Sequence, residues 1–444
     1  MAAPGGIAIS DRIHDDVAGK VSIEWQDGGE ISLKNIVKPV RVWFSGGRPG
    51  RAVKGGEGGR PSVAVLPFLG GAGDETLCDG FTEDIINGLA RFRSLYVSGR
   101  YSSFAFKDSR DGIESIARKL GVTYVVEGSV RRPAERLRVT ARLLDAEVGV
   151  AVWAERYDRP LTDIFDIQDE IANTIVGTLA GRIETTQTDI SLRKPPASLA
   201  AYDLHLRGLS RFRAYDVRSN QDAATLFQQA IDLDPEYAQA HSFLALSSLA
   251  AEGYGAASKL TRTRSVALAR KAVEMSSQDA TCQRLLGQAL LYDRDYDMAE
   301  HHARRAIELN PNDADCLMSM GYLLVQRGRP VDALAFMDQA VRLNPFHPLW
   351  YFIHMAAAHF SLGQYDQCVM AMRKLPDPQG WFFRLAGAYA KLGMQRDAAG
   401  EAEKVLAANP HFSVDAFMST AILLEKEADR ESLRNSLLLA GLPA

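Results

Sequence analysis

The chain has 444 residues, of which 46% are hydrophobic and 24% charged, and its formal net charge is −4. A chain of this length is expected to form two to four domains, and its composition excludes a largely disordered protein. Acidic and basic residues are interspersed, so the sequence lacks the broad basic surface that nucleic-acid phosphates require. We therefore expect no nucleic-acid partner.

The four cysteines are widely spaced and form no C-x-x-C pair: Cys78, Cys282, Cys316 and Cys368. Such spacing is not typical of a secreted disulfide framework. The amino terminus has no positive region followed by an apolar stretch, and no run approaches the ~18 apolar residues of a membrane-spanning helix. The sequence predicts reduced thiols, a cytoplasmic location and no membrane span.

Residues 1–44 contain short strand patterns around a Gly-containing stretch at 26–29, which predict a β-hairpin. An isolated hairpin is only marginally stable, so the sequence leaves open whether this segment folds. Residues 45–60 are rich in glycine and have no apolar period, which indicates a flexible linker.

Residues 61–185 predict an α/β domain. The apolar run 62–68 indicates a strand, and Phe81, Ile85 and Leu89 then recur at helical spacing. Residues 137–143 alternate apolar and polar side chains, as in a sheet with one solvent-exposed face. The predicted order is β-α-β-α-β-β-β-α, a mixed sheet with packed helices.

The last predicted helix of this domain carries an apolar stripe from Ile164 to Leu179. Its spacing by three and four favours a buried core face, with a coiled-coil seam as the alternative. An acidic group surrounds the amino terminus of the first predicted helix: Asp74, Glu75, Asp79, Glu83 and Asp84. The favoured interpretation is complementation of the helix dipole, and the alternative is an ion or partner contact.

Residues 199–440 predict an all-α repeat region. Pro311 and Pro345 are 34 residues apart, and so are Gly287 and Gly321, which mark sites of close helix approach. Alanines keep the same registers, and about eight extra residues enter near 250–264. This pattern resembles the tetratricopeptide repeat family, in which helix pairs stack into a solenoid with a concave face.

The resemblance implies a protein or peptide partner on the side chains of the first helices. Projecting the repeat register onto the sequence places five residues on the concave surface: Arg284, Gln288, Met318, Tyr322 and Gln326. The alternative is that each is an ordinary exposed residue.

The stretches "PGGIAIS" and "LKNIVKPVRVW", within residues 1–44, resemble the carboxyl end of the catalytic domain of class III adenylate/guanylate cyclases. The matching residues are Pro4, Gly5, Gly6, Ile7, Ser10, Leu33, Lys34, Asn35, Ile36, Pro39 and Val40. The stretches "VAVLPF", "VVEGSVRR" and "DIFDIQDEIA" resemble the TolB amino-terminal-like domain. The order of the three resemblances is that of a known bacterial architecture, and because the parent cyclases act as dimers, a homodimer stays open.

Cyclisation of ATP requires paired carboxylates that hold divalent cations. In the cyclase family these residues lie upstream of the matched stretch, and Asp15 and Asp16 are adjacent on a predicted helix and project differently. We therefore expect no catalytic, cofactor-binding or metal-ligating residue here. The sequence predicts a non-catalytic regulatory and protein-interaction module of a bacterial cyclic-nucleotide signalling protein. The alternative is an adenylate cyclase recorded without its catalytic amino-terminal part.

Overall fold

The computed structural model describes residues 7–10, 13–14, 26–31, 40–45, 60–71, 73–133, 135–179, 198–375 and 381–444. The chain divides into two compact units, Met1–Pro61 and Ser62–Ala444. Several of the residues named above lie outside the described ranges: Pro4, Lys34, Asp15, Asp16 and most of the 45–60 linker.

The first unit contains a three-stranded antiparallel sheet in the order β1-β3-β2. Its strands are β1 Ile7–Ser10, β2 Gln26–Ile31 and β3 Val40–Ser45. The predicted glycine turn is wrong, because Gly28 and Gly29 lie inside β2, where the pairing with β3 shifts register between Asp27 and Glu30. Glycine accommodates such an irregularity at little steric cost.

The α/β portion (residues 62–179) opens the second unit. Its strands are β4 Ser62–Val65, β5 Tyr96–Val97, β6 Tyr124–Arg131, β7 Arg136–Asp145 and β8 Val150–Pro160, and its helices are α1 Glu75–Ala90, α2 Arg100–Phe104, α3 Ile113–Leu120 and α4 Ile164–Leu179. The sheet order is β5-β4-β6-β7-β8, with β4 parallel to both neighbours and the remaining pairs antiparallel. The predicted element order is confirmed, with the short helix α2 added.

The core of the α/β portion follows the sequence periodicity. In β7, Leu137 and Val139 have no exposed surface, whereas Arg138 between them faces solvent. The isoleucines of α4 are fully buried in the same core as α1. Burial of one such side chain contributes about 1.5–3 kcal/mol. The α4 stripe is therefore a core face, as predicted.

The helical portion (residues 198–444) consists of successive helix pairs. Its helices are α5 Leu199–Phe212, α6 Val217–Leu233, α7 Ala238–Ala251, α8 Lys259–Met275, α9 Ala280–Tyr292, α10 Tyr296–Leu309, α11 Ala314–Gln326, α12 Pro330–Leu343, α13 Leu349–Ser361, α14 Tyr365–Met372, α15 Phe382–Lys391, α16 Gln395–Ala408, α17 Val414–Thr420 and α18 Glu427–Leu439. The odd-numbered helices from α5 to α15 are the first members of each pair.

Local chemistry explains the 34-residue period. Asp279 and Asp313 are both N-caps whose side chains accept hydrogen bonds from the first backbone amides of α9 and α11. A Cβ at Gly287 would lie 3.0 Å from the carbonyl oxygen of Ala299, and one at Gly321 the same distance from that of Ala333. The prediction of close helix approach at these glycines is confirmed.

The extra residues predicted near 250–264 form a longer connection with a 3₁₀ turn at Tyr254–Ala256. Next to this connection, a segment that we name the strap (residues 420–426) crosses back over the repeats. The hydroxyl of Tyr296 donates to the Leu423 carbonyl oxygen at 2.9 Å, and the Glu425 amide donates to the Gln326 carbonyl oxygen at 2.7 Å. The strap therefore joins the carboxyl-terminal helices to the middle of the helical portion.

Candidate binding cavity

A cavity of about 680 Å³ lies inside the second unit. One wall is formed by side chains of the first helices α5, α7, α9, α11, α13 and α15; a second by α1, α2 and the residues before α2; and a third by the strap. Its volume falls within the range of about 300–1,000 Å³ that is typical of small-molecule sites.

Four of the five residues projected onto the concave surface line this cavity: Arg284, Gln288, Tyr322 and Gln326. The prediction is wrong for Met318, which has no exposed surface and packs in the core of the repeats. It occupies the same repeat position as Arg284, but its flexible apolar side chain gains free energy by packing between the helices.

A buried ion triad joins the α/β portion to the first repeat. Glu83 of α1 accepts from Nε of Arg100 at 2.8 Å and from the guanidinium of Arg213 at 2.6 Å. Burial alone would raise the pKa of Glu83, but the charges and hydrogen bonds of the two arginines lower it to about 2. Asp84 accepts from the Tyr202 hydroxyl at 2.5 Å. The carboxylates of α1 thus contact the solenoid directly.

These contacts change the interpretation of the acidic group. Glu83 and Asp84 lie beyond the first turn of α1 and serve as ion-pair and hydrogen-bond partners of the helical portion. Asp79 pairs with Lys107 within the α/β portion, at 2.6 Å. The helix dipole therefore does not account for these three carboxylates, and their partners lie too far along the chain to be read from local spacing.

Two asparagines of the repeats complete the interface. Oδ1 of Asn344 accepts from both the amide and the hydroxyl of Ser102, at 2.9 and 2.7 Å. Nδ2 of Asn312 donates to the carbonyl oxygens of Ala90 and Phe92, at 3.1 and 2.9 Å. These bonds satisfy backbone groups at the end of α1 and the start of α2.

In one region of the cavity, negatively charged carboxylates lie near the positive charge of Arg284. Burial would lower the pKa of this guanidinium, but the negative charges of Asp315 and Asp313 raise it. The Tyr351 hydroxyl donates to Oδ1 of Asp315 at 2.7 Å, so the carboxylate is also hydrogen-bonded.

A second region of the cavity is aromatic. The rings of Tyr322 and His354 stack with centroids 4.0 Å apart, and Trp350 meets His354 edge-on. Arg384 of α15 lies beside this region, and only 8% of its surface is exposed. Burial and the charge of Arg384 lower the pKa of His354 to about 3, so His354 is neutral at physiological pH.

Within the described ranges, no group of three or more His, Cys, Asp or Glu side chains is arranged to hold a metal ion. The same residues include no helix with the length and apolar character needed to cross a membrane. All four cysteines are buried.

The stacked helix pairs define the class of the helical portion, a tetratricopeptide-like solenoid, which adjoins a small mixed sheet. A model of the tetratricopeptide repeat family matches residues 213–259 and 284–348. A curated protein of Rhizobium meliloti (strain 1021), named "Putative adenylate cyclase 3", is 36% identical over 314 residues, 68% of this chain and 54% of the relative. The chain thus contains tetratricopeptide repeats, is related to that protein and spans about half of its length.

Solved structures are similar at lower identity. A tetratricopeptide repeat protein of Thermus thermophilus is 19% identical with a TM-score of 0.35, and the match covers 43% of this chain and 98% of that protein. TolB from Acinetobacter baumannii is 15% identical with a TM-score of 0.21, and the match covers 36% of this chain and 32% of TolB.

Proposed function

We propose that this chain is a non-catalytic regulatory and protein-interaction module of a bacterial cyclic-nucleotide signalling protein. The repeats bind a protein partner, and a TolB amino-terminal-like domain couples that binding to the rest of the protein. The observation that carries the proposal is the buried interface between α1 and the first repeat, in which Glu83 pairs with Arg213 and Asp84 with Tyr202.

This interface supports coupling because both ionic partners are buried and hydrogen-bonded. A partner that shifts α5 must move Tyr202 and Arg213 against α1, and breaking a buried ion pair costs several kcal/mol. A displacement in the repeats is therefore transmitted to the α/β portion instead of being absorbed at the interface.

The proposal includes the predicted division into a cyclase-domain remnant at 1–44, a linker at 45–60, a TolB-like domain at 61–185 and a solenoid at 199–440. It also includes a cytoplasmic location and leaves a homodimer as a prediction. The predicted contacts with a protein partner are still Arg284, Gln288, Tyr322 and Gln326. Because they line an internal cavity, a protein partner must insert a segment to reach them.

The proposal is tested by incubating purified 1–444 with ATP and Mn²⁺ and measuring cyclic AMP by mass spectrometry. We expect no product above the protein-free control, while an active class III cyclase assayed in parallel confirms the conditions. Formation of cyclic AMP by 1–444 would overturn the non-catalytic assignment.

The second candidate function is that of a class III adenylate cyclase whose catalytic part precedes the given sequence. The partial coverage of the curated relative, at 54% of its length, favours this candidate. The intact mass of the natively expressed protein distinguishes the two. A species near 48.7 kDa supports the module, and a distinctly heavier one supports the cyclase.

A further inference from the structure

Arg384 is a buried cation that lines the cavity and has no anionic partner among the described residues. Its side chain is 8% exposed, and its Nε is buried with no hydrogen-bond partner. Across the residues that the structure describes, no carboxylate forms an ion pair with it. Its guanidinium instead lies 5.4–6.0 Å from the ring centroids of Phe383, Trp381 and Phe360.

A guanidinium cannot escape this position by losing its proton, because its intrinsic pKa is above 12. Aromatic faces attract a cation but replace only part of its hydration. A buried charge of this kind is stabilised when an anion with the same planar geometry completes its hydrogen bonds. The residues that the structure describes supply no such anion, and an anion from solution can fill this role.

The surroundings of Arg384 indicate the rest of the ligand. The stacked Tyr322 and His354 rings line the same cavity, as does the side chain of Ile353. Among the described residues, further side chains that line the cavity also have a buried polar atom without a hydrogen-bond partner: Oε1 of Gln288, Nδ1 of His354, Nε of Arg284 and Oδ1 of Asn220. The cavity thus combines an apolar wall with a few convergent polar groups, as small-molecule sites do.

Two other arginines of the helical portion line the cavity. Arg213 is paired with Glu83 at 2.6 Å. Arg284 has a buried Nε without a hydrogen-bond partner among the described residues, but the negative charges of Asp315 and Asp313 raise the pKa of its guanidinium. The negative group of a ligand is therefore directed to Arg384, with which no described carboxylate pairs.

We infer that the cavity binds a small organic anion: a carboxylate that meets the Arg384 guanidinium and is carried on a flat apolar body packed against the aromatic wall. The inference does not rest on the proposed function, because a small molecule can occupy this cavity whether or not a protein partner exists.

The test is isothermal titration calorimetry of purified 1–444 with 1-naphthoate and with 1-naphthamide, its neutral counterpart of nearly the same shape. We expect naphthoate to bind at least tenfold more tightly than naphthamide. Arg384→Met should remove that preference and leave naphthamide binding unchanged. Arg373→Met is the matched control, because Arg373 also contacts an aromatic side chain, that of Tyr389, but does not line the cavity.

Ile353→Trp provides a second variant, which fills the cavity without changing its charge and should weaken both probes. If circular dichroism shows that Arg384→Met does not fold, the binding of the two probes to Ile353→Trp decides the test. Equal affinity for naphthoate and naphthamide in the wild-type protein, or no binding of either, overturns the proposal. Naphthoate binding that survives both variants overturns it as well. Phenyl phosphate is titrated in parallel, and a tenfold preference for it over naphthoate would overturn the carboxylate assignment.

Discussion

Replacement of Glu83 by glutamine should uncouple the α/β portion from the repeats. The substitution keeps the shape of the side chain and removes the charge that Arg100 and Arg213 share. Both guanidinium groups are mostly buried, with about a fifth of their side-chain surface exposed. They are left facing each other without a counter-charge.

The expected loss in the free energy of unfolding follows from the pKa of Glu83. Its fall from 4.5 to about 2 corresponds to about 3 kcal/mol at 1.36 kcal/mol per pKa unit. This value agrees with the 3–5 kcal/mol that is typical when one partner of a buried ion pair is removed. We expect Glu83→Gln to lower the free energy of unfolding by about 3 kcal/mol at pH 7.

The pH dependence has a defined direction because the pKa of Glu83 is lower in the folded protein than in the unfolded chain. The stabilisation is fully present above the unfolded value of 4.5 and is lost as the pH falls toward about 2. The difference between wild type and Glu83→Gln should therefore shrink progressively between pH 4.5 and pH 2.

Urea denaturation, followed by circular dichroism at pH 7 and at pH 3.5, measures this difference. Glu114→Gln is the matched control: its ion pair with Arg118 is largely exposed, and its loss should cost less than about 0.5 kcal/mol. If Glu83→Gln costs less than about 1 kcal/mol at pH 7, the triad does not hold the two portions together.

Three further changes test the interface and the strap. Asn344→Ala removes the acceptor of both Ser102 bonds and should cost about 2 kcal/mol in urea denaturation; an unchanged midpoint would contradict this role. Tyr202→Phe deletes one bond to a carboxylate and should cost about 1.5–3 kcal/mol in the same assay, with Tyr365→Phe as the control at a partly buried tyrosine. Gly255→Val places a Cβ 2.4 Å from the Ala421 carbonyl oxygen, so limited proteolysis should cleave the strap sooner than in wild type, and equal rates would refute the close approach.

The sequence is sufficient to predict those elements whose periodicity is local. The alternation in β7 and the 34-residue spacing of Gly287 and Gly321 reflect burial within a strand and contact within a helix pair, and both were confirmed. The same register correctly placed Arg284 and Tyr322 at the inner surface. It failed at Met318, because repeat position alone does not distinguish a side chain that reaches the cavity from one that packs between helices.

The interface and the strap could not be predicted because their contacts join distant positions with no shared period. Glu83 and Arg213 are 130 residues apart, and neither stands out in its own segment. The strap is an extended segment held by backbone carbonyls and by Tyr296, and such bonds leave no sequence pattern. An acidic residue on a helix is also compatible with solvation, with the helix dipole and with a remote ion pair.

The arginines of this chain differ in one respect that bears on the cavity. Arg100 and Arg213 share Glu83, Arg327 and Arg329 both pair with Glu300, and Arg284 lies in the field of Asp315. Arg384 is more deeply buried than the exposed Arg329, and its guanidinium lies near the rings of Phe383, Trp381 and Phe360 without an ion-pair partner among the described residues. If the guanidinium served packing alone, an apolar side chain would do so without the cost of desolvating a charge. The retention of a cation there is explained when an anion enters the cavity, and Arg384→Met should accordingly raise the melting temperature of the ligand-free protein while removing its affinity for 1-naphthoate.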